Sequence, residues 1–182
     1  MKLSAKIICY HLQKSFSIHT SRLDTFPTLS CPSCFEKSMP LQDGRVYLIT
    51  DPDFQPTFHH PKNILFLMIG KAYQNYELSQ PNMCIIPEDL PVNTVFNKLQ
   101  DIFILYDQWN QSLMESRLRN ASIQELLDLT TSIIPNPMML IGMDFTIIAS
   151  RGWDLGDLSN SVLGSSENSW DIVDSLKQDP HY

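Results

Sequence analysis

Glycine is scarce in this chain, at six residues in 182. No glycine-rich phosphate loop occurs, and neither a G-x-S-x-G nucleophile turn nor an H-E-x-x-H metal motif is found. The enzyme classes that such motifs identify, among them phosphate-transfer enzymes, serine hydrolases and zinc peptidases, therefore have no support. We expect that the chain is not an enzyme and that it requires no cofactor.

Clustered basic charge is also missing. Residues 1–90 contain eight Lys or Arg and eight Asp or Glu, whereas residues 91–182 contain five and twelve, which accounts for the net charge of -7. A surface that binds duplex nucleic acid needs grouped Lys and Arg to displace counterions from the phosphates. We therefore expect no direct contact with nucleic acid.

Long apolar runs are absent as well. The longest run, over 64–69, has six residues, whereas a helix that spans a membrane needs about 20. The amino-terminal residues lack the uninterrupted apolar segment of a secretory signal. With four cysteines and no such signal, the chain is predicted to be cytoplasmic, with free thiols and no membrane contact.

Periodic apolar residues predict one helix and four strands in the first half of the chain. Apolar residues recur at helical spacing over 3–14 and predict a helix there. Alternation and short apolar runs predict strands at 16–20, 45–50, 63–69 and 83–86. The run at 63–69 is apolar on both faces, which predicts a central strand in a covered sheet.

Prolines interrupt the segment between the first two predicted strands. Pro27, Pro32 and Pro40 predict that residues 22–42 are irregular, because proline breaks helices and strands. Short apolar strands separated by loops of about a dozen residues predict an α/β fold class, with α+β as an alternative. We expect a small mixed sheet with helices in residues 1–90.

Two interleaved apolar series predict one long helix over about 92–118. Each series has a spacing of seven, and together they form the a/d pattern of a heptad: Val92, Leu99, Tyr106 and Leu113, with Val95, Ile102 and Trp109. This seam has two interpretations. It packs on the N-terminal sheet, or it pairs with the same helix of a second chain. The second interpretation predicts a homodimer through the 92–113 helix.

Two further local patterns follow the long helix. Ser122 and Glu125 form a capping box, in which each side chain satisfies a backbone amide at the start of a helix. Apolar segments at 138–141 and 146–149 flank a turn at 142–145 and predict a β-hairpin.

Four segments resemble the sensor half of PucR-like (also called CdaR-like) bacterial transcriptional regulators. They are residues 93–103, 106–109, 121–129 and 136–149, which carry the long helix, the capping box and the hairpin. The likeness extends best over about 93–150 and is weaker over 1–90. One departure is Gly142, which stands where many of these regulators carry an acidic residue.

The resemblance implies three parts and a regulatory function. Residues 1–90 form a small α/β sensor module, residues 91–120 a long connecting helix, and residues 121–182 the start of a PAS- or GAF-like α+β unit. The module binds a small cytoplasmic effector, and the helix relays binding to a DNA-binding domain that lies outside this segment. The alternatives are a dimerisation scaffold that binds no ligand and a small enzyme without a recognisable motif.

Cys31 and Cys34 form a CxxC pair, which is half of a zinc site or a redox pair in other proteins. A structural zinc site needs four ligands, and adjacent histidines such as His59 and His60 rarely both bind one metal. A redox pair of this type begins a helix after a strand, which the proline-rich surroundings do not predict. We therefore expect no metal site.

Two pairs of polar residues lie in the loop 51–62. His59 and His60 are most simply part of a surface turn, but this loop would lie at the ligand-binding edge if the sheet is parallel. Asp51 and Asp53 could mimic an acid pair, although a turn that ends the strand is the simpler interpretation. The sequence thus assigns no catalytic residue and no ligand-binding residue.

Overall fold

The computed structural model describes residues 1–26, 28–51, 54, 63–74, 78, 80–142 and 147–152. The chain divides into two compact units, Met1–Gln108 (unit 1) and Trp109–Tyr182 (unit 2). Several predictions fall on residues outside the described ranges and stay predictions. They concern Asp53, His59, His60, the hairpin turn at 143–145 and the tail from 153 onward.

Unit 1 contains a helix, a five-stranded sheet and the first part of the long helix. Helix α1 spans Ala5–Leu12, where Ser4 Oγ accepts a hydrogen bond from Ile7 N and caps the helix start. The helix predicted over 3–14 is therefore confirmed in a shorter form. The strands are β1 (His19–Thr20), β2 (Cys31–Cys34), β3 (Arg45–Ile49), β4 (Ile64–Ile69) and β5 (Met83–Ile86).

The sheet is mixed, as predicted, and its strands lie in the order β1-β5-β4-β3-β2. The four strands from β2 to β5 are parallel to their neighbours, whereas β1 is antiparallel to β5. β4 lies in the middle, and all of its residues are buried, as its continuous apolar run predicts. The strands predicted at 45–50, 63–69 and 83–86 are confirmed, and the α/β fold class with them.

The prediction that residues 22–42 are irregular is wrong, because Cys31–Cys34 forms β2. Pro32 is tolerated there because β2 is the edge strand of the sheet. Alternate N–H groups of an edge strand face away from the sheet, and a proline at such a position leaves no gap in the hydrogen-bonded ladder. The strand predicted over 16–20 is confirmed only in its last two residues, which form β1. With β2 added, the sheet has one strand more than predicted.

Different parts of unit 1 cover the two faces of the sheet. One face carries an apolar core from β3, β4, β5 and the segments between them, formed by Tyr47, Ile49, Phe54, Ile64, Phe66, Met68, Tyr73, Met83 and Ile85. α1 lies against the other face, where the buried thiol of Cys9 in α1 neighbours that of Cys84 in β5. Successive residues of a strand point to opposite faces, which places Cys84 on the face away from that core.

Helix α2 spans Val92–Leu118 and confirms the long helix predicted over about 92–118. Within unit 1 the seam residues Val95, Leu99, Ile102 and Tyr106 are buried. The chain itself therefore covers the first half of the seam, which favours the intramolecular interpretation over that part. The homodimer through the 92–113 helix stays a prediction.

Unit 2 contains the end of α2, a short helix and a hairpin. Helix α3 spans Ile123–Asp128 and continues into a 3-10 turn at Leu129–Ser132. The Ser122–Glu125 capping box is confirmed at the start of α3. Strands β6 (Met138–Ile141) and β7 (Ile147–Arg151) pair antiparallel and confirm the hairpin. Within the described ranges, no helix of either unit is long and apolar enough to cross a membrane.

Candidate functional site

A small cavity lies at the edge of the unit 1 sheet, beside the segment that joins β2 to β3. Its volume is ≈ 140 Å³, and its lining includes Ser33, Phe35, Glu36, Met39, Arg45 and Tyr47. One cation, one anion, two hydroxyl groups and apolar side chains thus meet in one place. An apolar wall with a few convergent polar groups is typical of small-molecule sites.

The parallel register of the two edge strands creates the polar side of this cavity. Cys31 of β2 lies opposite Arg45 of β3, and Ser33 lies opposite Tyr47. Because alternate residues of a strand share a face, these four side chains stand on the same side of the sheet. Arg45 Nη1 donates hydrogen bonds to Cys31 Sγ at 2.7 Å and to Ser33 Oγ at 3.2 Å.

Some hydrogen-bond donors of the Arg45 guanidinium are not used by the described residues. A guanidinium carries five N–H donors, and the two hydrogen bonds to Cys31 and Ser33 use only the terminal nitrogen Nη1. Among the described residues, no carboxylate forms an ion pair with Arg45. The donors on Nη2 and Nε form the planar fork that binds a carboxylate through two parallel hydrogen bonds.

Glu36 supplies the negative charge of the cavity. It is exposed, and within the described part of the chain its carboxylate forms neither an ion pair nor a hydrogen bond. Its backbone oxygen accepts from Met39 N at 3.0 Å and so closes a tight turn in the joining segment. The cavity therefore holds one charge of each sign, and neither neutralises the other by direct contact.

The joining segment is fixed to the sheet at both of its ends. Phe35 N donates to the carbonyl oxygen of Leu48 at 2.9 Å, and Gln42 N donates to Tyr47 Oη at 2.8 Å. At the start of β3, Gly44 has a φ of 73°, and a Cβ there would lie 3.0 Å from the carbonyl oxygen of Thr28. A side chain at position 44 would therefore strain the turn that places Arg45 beside the cavity.

Aromatic rings form the floor between the cavity and the core. The ring of Phe35 meets those of Tyr47 and Phe54 edge-on, at centroid distances of 6.5 and 4.8 Å. Phe54 in turn contacts Phe66 of β4 at 5.3 Å. This aromatic row joins the cavity wall to the central strand.

Two larger cavities lined by described residues differ from the Arg45 cavity because their carboxylates already accept hydrogen bonds. In the cavity of ≈ 440 Å³ beside Arg22, Asp24 accepts a hydrogen bond from Asn82 Nδ2 at 2.6 Å. In the cavity of ≈ 330 Å³ in unit 2, Glu125 belongs to the capping box with Ser122. Neither cavity has the open cation and open anion of the Arg45 cavity.

The structure separates the two cysteines of the CxxC pair. Cys31 and Cys34 stand at opposite ends of β2. At about 3.3 Å per residue they are about 10 Å apart, whereas a disulfide needs Cα atoms within roughly 7 Å. Among the described residues, no group of three or more His, Cys, Asp or Glu is placed to hold a metal ion.

The carboxyl edge of the parallel strands carries engaged polar groups. Asp51, just after β3, pairs with Lys37 at 2.6 Å, and its carbonyl oxygen accepts hydrogen bonds from Tyr73 Oη and, at 3.0 Å, from Phe54 N. The last of these bonds closes a turn directly after β3, in agreement with the predicted stop of that strand. The sheet is parallel here, so the condition under which the loop 51–62 would lie at a ligand-binding edge is met.

A second ion pair lies after β4. Lys71 N and Nζ donate to the Asp89 carboxylate at 2.9 and 3.2 Å. The hydrogen bond from the Lys71 backbone, and then that from its side chain, hold the pKa of Asp89 below its ordinary value. These charges satisfy each other, which leaves Arg45 and Glu36 as the better candidates for ligand contact.

Sequence reasoning missed both charged residues of the cavity. Arg45 begins an otherwise apolar strand, and Glu36 follows a CxxC pair, so neither position carries a motif. The only signal was the unusual position of an arginine directly before a buried run. No family model, no curated protein and no solved structure matches the chain. The resemblance to PucR-like regulators therefore stays a prediction.

Proposed function

We propose that the chain is the sensor region of a PucR-like transcriptional regulator, and that unit 1 binds a small cytoplasmic effector. One observation carries the proposal: Arg45 lies in a small cavity and has no carboxylate partner among the described residues. A partly buried guanidinium with open donors suits a polar group of a small ligand. No catalytic group is needed for this function.

In the proposed mechanism α2 carries the signal. β5 ends at Ile86 and α2 begins at Val92, so only a short segment joins the sheet to the helix. Tyr106 of α2 is hydrogen-bonded to His11 of α1, which ties the helix to unit 1. A ligand changes the output only if it binds one arrangement of α2 more tightly than another.

Pairing of α2 with a second chain would complete the relay. The later seam residues Trp109 and Leu113 are only half-buried in unit 2, and the nearby Met114 and Leu118 are 63% and 83% exposed. A row of partly exposed apolar side chains is typical of an interface between chains. The same observation supports the second candidate, a scaffold that dimerises the regulator without binding a ligand. The DNA-binding module in both cases lies outside these 182 residues.

A thermal-shift screen against central metabolites tests the sensor function, with the mass of the protein in solution measured in parallel. A ligand at about 100 times its dissociation constant stabilises the folded state by roughly 2.7 kcal/mol, which raises Tm by several degrees. The sensor proposal expects at least one reproducible hit. It also expects that hit to change amide hydrogen exchange in residues 92–118.

The outcomes separate the two candidate functions. A dimer that shows no ligand-dependent shift in the whole panel favours the scaffold and overturns the sensor. A ligand that stabilises the protein but leaves hydrogen exchange along α2 unchanged contradicts the relay. A monomer at all accessible concentrations contradicts pairing through the 92–113 helix.

A further inference from the structure

The charges of the Arg45 cavity define the chemistry of its ligand. Arg45 Nη1 donates hydrogen bonds to Cys31 and Ser33, and the donors on Nη2 and Nε remain available to a ligand. Those donors match the two oxygens of a carboxylate in spacing and direction. A ligand carboxylate would also give Arg45 a negatively charged partner, which none of the described residues provides in an ion pair.

Glu36 disfavours a ligand that is only an anion. Glu36 lines the same cavity, so an anion bound to Arg45 would add a second negative charge near it. An ammonium group on the ligand removes this repulsion and gives Glu36 a charged hydrogen-bond donor. One positive and one negative side chain together favour a ligand without net charge.

The size of the cavity limits the ligand further. A cavity of ≈ 140 Å³ is close to the roughly 150 Å³ that accommodates benzene, so the ligand has about six non-hydrogen atoms. Phe35 and Met39 provide an apolar wall for a short side chain.

We propose that the Arg45 cavity binds a small zwitterion of the size of a free alanine, with its carboxylate on Arg45 and its ammonium group on Glu36. This inference rests on the proposed sensor function, because it names the chemical class of the effector. Alanine has six non-hydrogen atoms and both charged groups on one carbon. An amino acid with a large aromatic side chain exceeds the cavity.

Isothermal titration of the whole chain with three related compounds tests the class. L-alanine carries both charges, propionate carries only the carboxylate, and alaninamide carries only the ammonium group. We expect alanine to bind and each of the other two to bind at least roughly ten-fold more weakly, since each leaves one charged side chain without its partner. Phenylalanine is expected not to bind.

Variants of the two charged residues test the site. Arg45→Gln and Glu36→Gln are expected to weaken alanine binding by roughly ten- to a hundred-fold. Glu36→Gln also removes the preference for alanine over propionate. The matched controls are Arg117→Gln and Asp101→Asn, which change exposed charges on α2 and are expected to leave binding unchanged.

A spectroscopic measurement keeps the test independent of the folding of the variants. The side-chain Nε–H resonance of Arg45, assigned with Arg45→Lys, is expected to shift when wild-type protein is titrated with alanine. Equal binding of propionate and alanine overturns the zwitterion, and a static Arg45 resonance during alanine binding overturns the site. Failure of all three compounds overturns this inference alone, because a hit of another class in the metabolite screen leaves the sensor function standing.

Discussion

His11 Nε2 lies 3.1 Å from Tyr106 Oη, although 95 residues separate them in the chain. Their rings also meet edge-on, at a centroid distance of 5.6 Å and an interplanar angle of 90°. Burial raises the pKa of Tyr106, with a smaller contribution from Tyr10. The phenol is therefore uncharged and hydrogen-bonded at neutral pH, and it links α1 to the long helix that we propose carries the signal.

Tyr106→Phe removes this hydrogen bond and keeps the ring. We expect a loss of about 0.5–1.5 kcal/mol in the free energy of unfolding, the usual contribution of one intramolecular hydrogen bond. Urea denaturation, monitored by circular dichroism, measures the change in the free energy of unfolding. Tyr10→Phe is the control, because Tyr10 is 45% exposed and should tolerate the change. Equal effects of the two substitutions would contradict a stabilising contact between α1 and α2.

His11 makes the stability of the chain depend on pH. Burial lowers its pKa from the ordinary value of 6.5, and Lys14 and Lys98 lower it further. Protonation therefore favours the unfolded chain, so the stabilising contribution is fully present above pH 6.5 and is lost as the pH falls through the folded-state pKa. We expect Tm to decrease as the pH is lowered below 6.5, and to decrease less in His11→Gln.

Scanning calorimetry from neutral to mildly acidic pH measures this difference between wild type and variant. His19→Gln removes an exposed histidine in β1 and is expected to follow the wild-type profile. A His11→Gln profile parallel to that of wild type over the whole range would show that His11 does not titrate with folding.

The sequence predicted those helices and strands whose buried faces appear as a regular local pattern of apolar residues. β4 is apolar throughout because both of its faces are covered, and α2 carries a regular seam, so neither depends on knowledge of a distant partner. β2 was missed because Pro32 hides its strand character. Its position at the sheet edge, which makes proline harmless, follows only from the pairing of β2 with β3.

The candidate site was not predictable from the sequence for a related reason. Arg45 meets Cys31 and Ser33 because two parallel strands adopt one register. Glu36 reaches the same cavity because a turn folds the joining segment back beside the sheet. None of these residues forms a spacing motif, so only the three-dimensional arrangement brings the two charges together.

Ser122→Ala tests the capping box at the start of α3. Ser122 Oγ accepts a hydrogen bond from Glu125 N at 3.2 Å, and the Glu125 carboxylate accepts one from Ser122 N at 2.7 Å. The substitution is expected to destabilise α3 by about 1 kcal/mol, the typical effect of losing a serine cap. Amide hydrogen exchange of residues 123–128 measures it. Ser132→Ala, at the exposed end of the following turn, is the control and is expected to leave this exchange unchanged.

The four cysteines are expected to react with an aromatic disulfide reagent in a defined order. Cys34 is exposed and Cys31 partly exposed, whereas Cys9 and Cys84 are buried. The hydrogen bond with Cys9, together with burial, raises the pKa of Cys84 well above its ordinary value, which further reduces its thiolate fraction. Cys34 should therefore react first and Cys31 more slowly, and the buried pair should react only when α1 leaves the sheet.

Mass mapping of the labelled peptides measures the order, and Cys34→Ser should abolish the fast phase. Rapid labelling of Cys84 in the folded protein would contradict the packing of α1 on the face of β5.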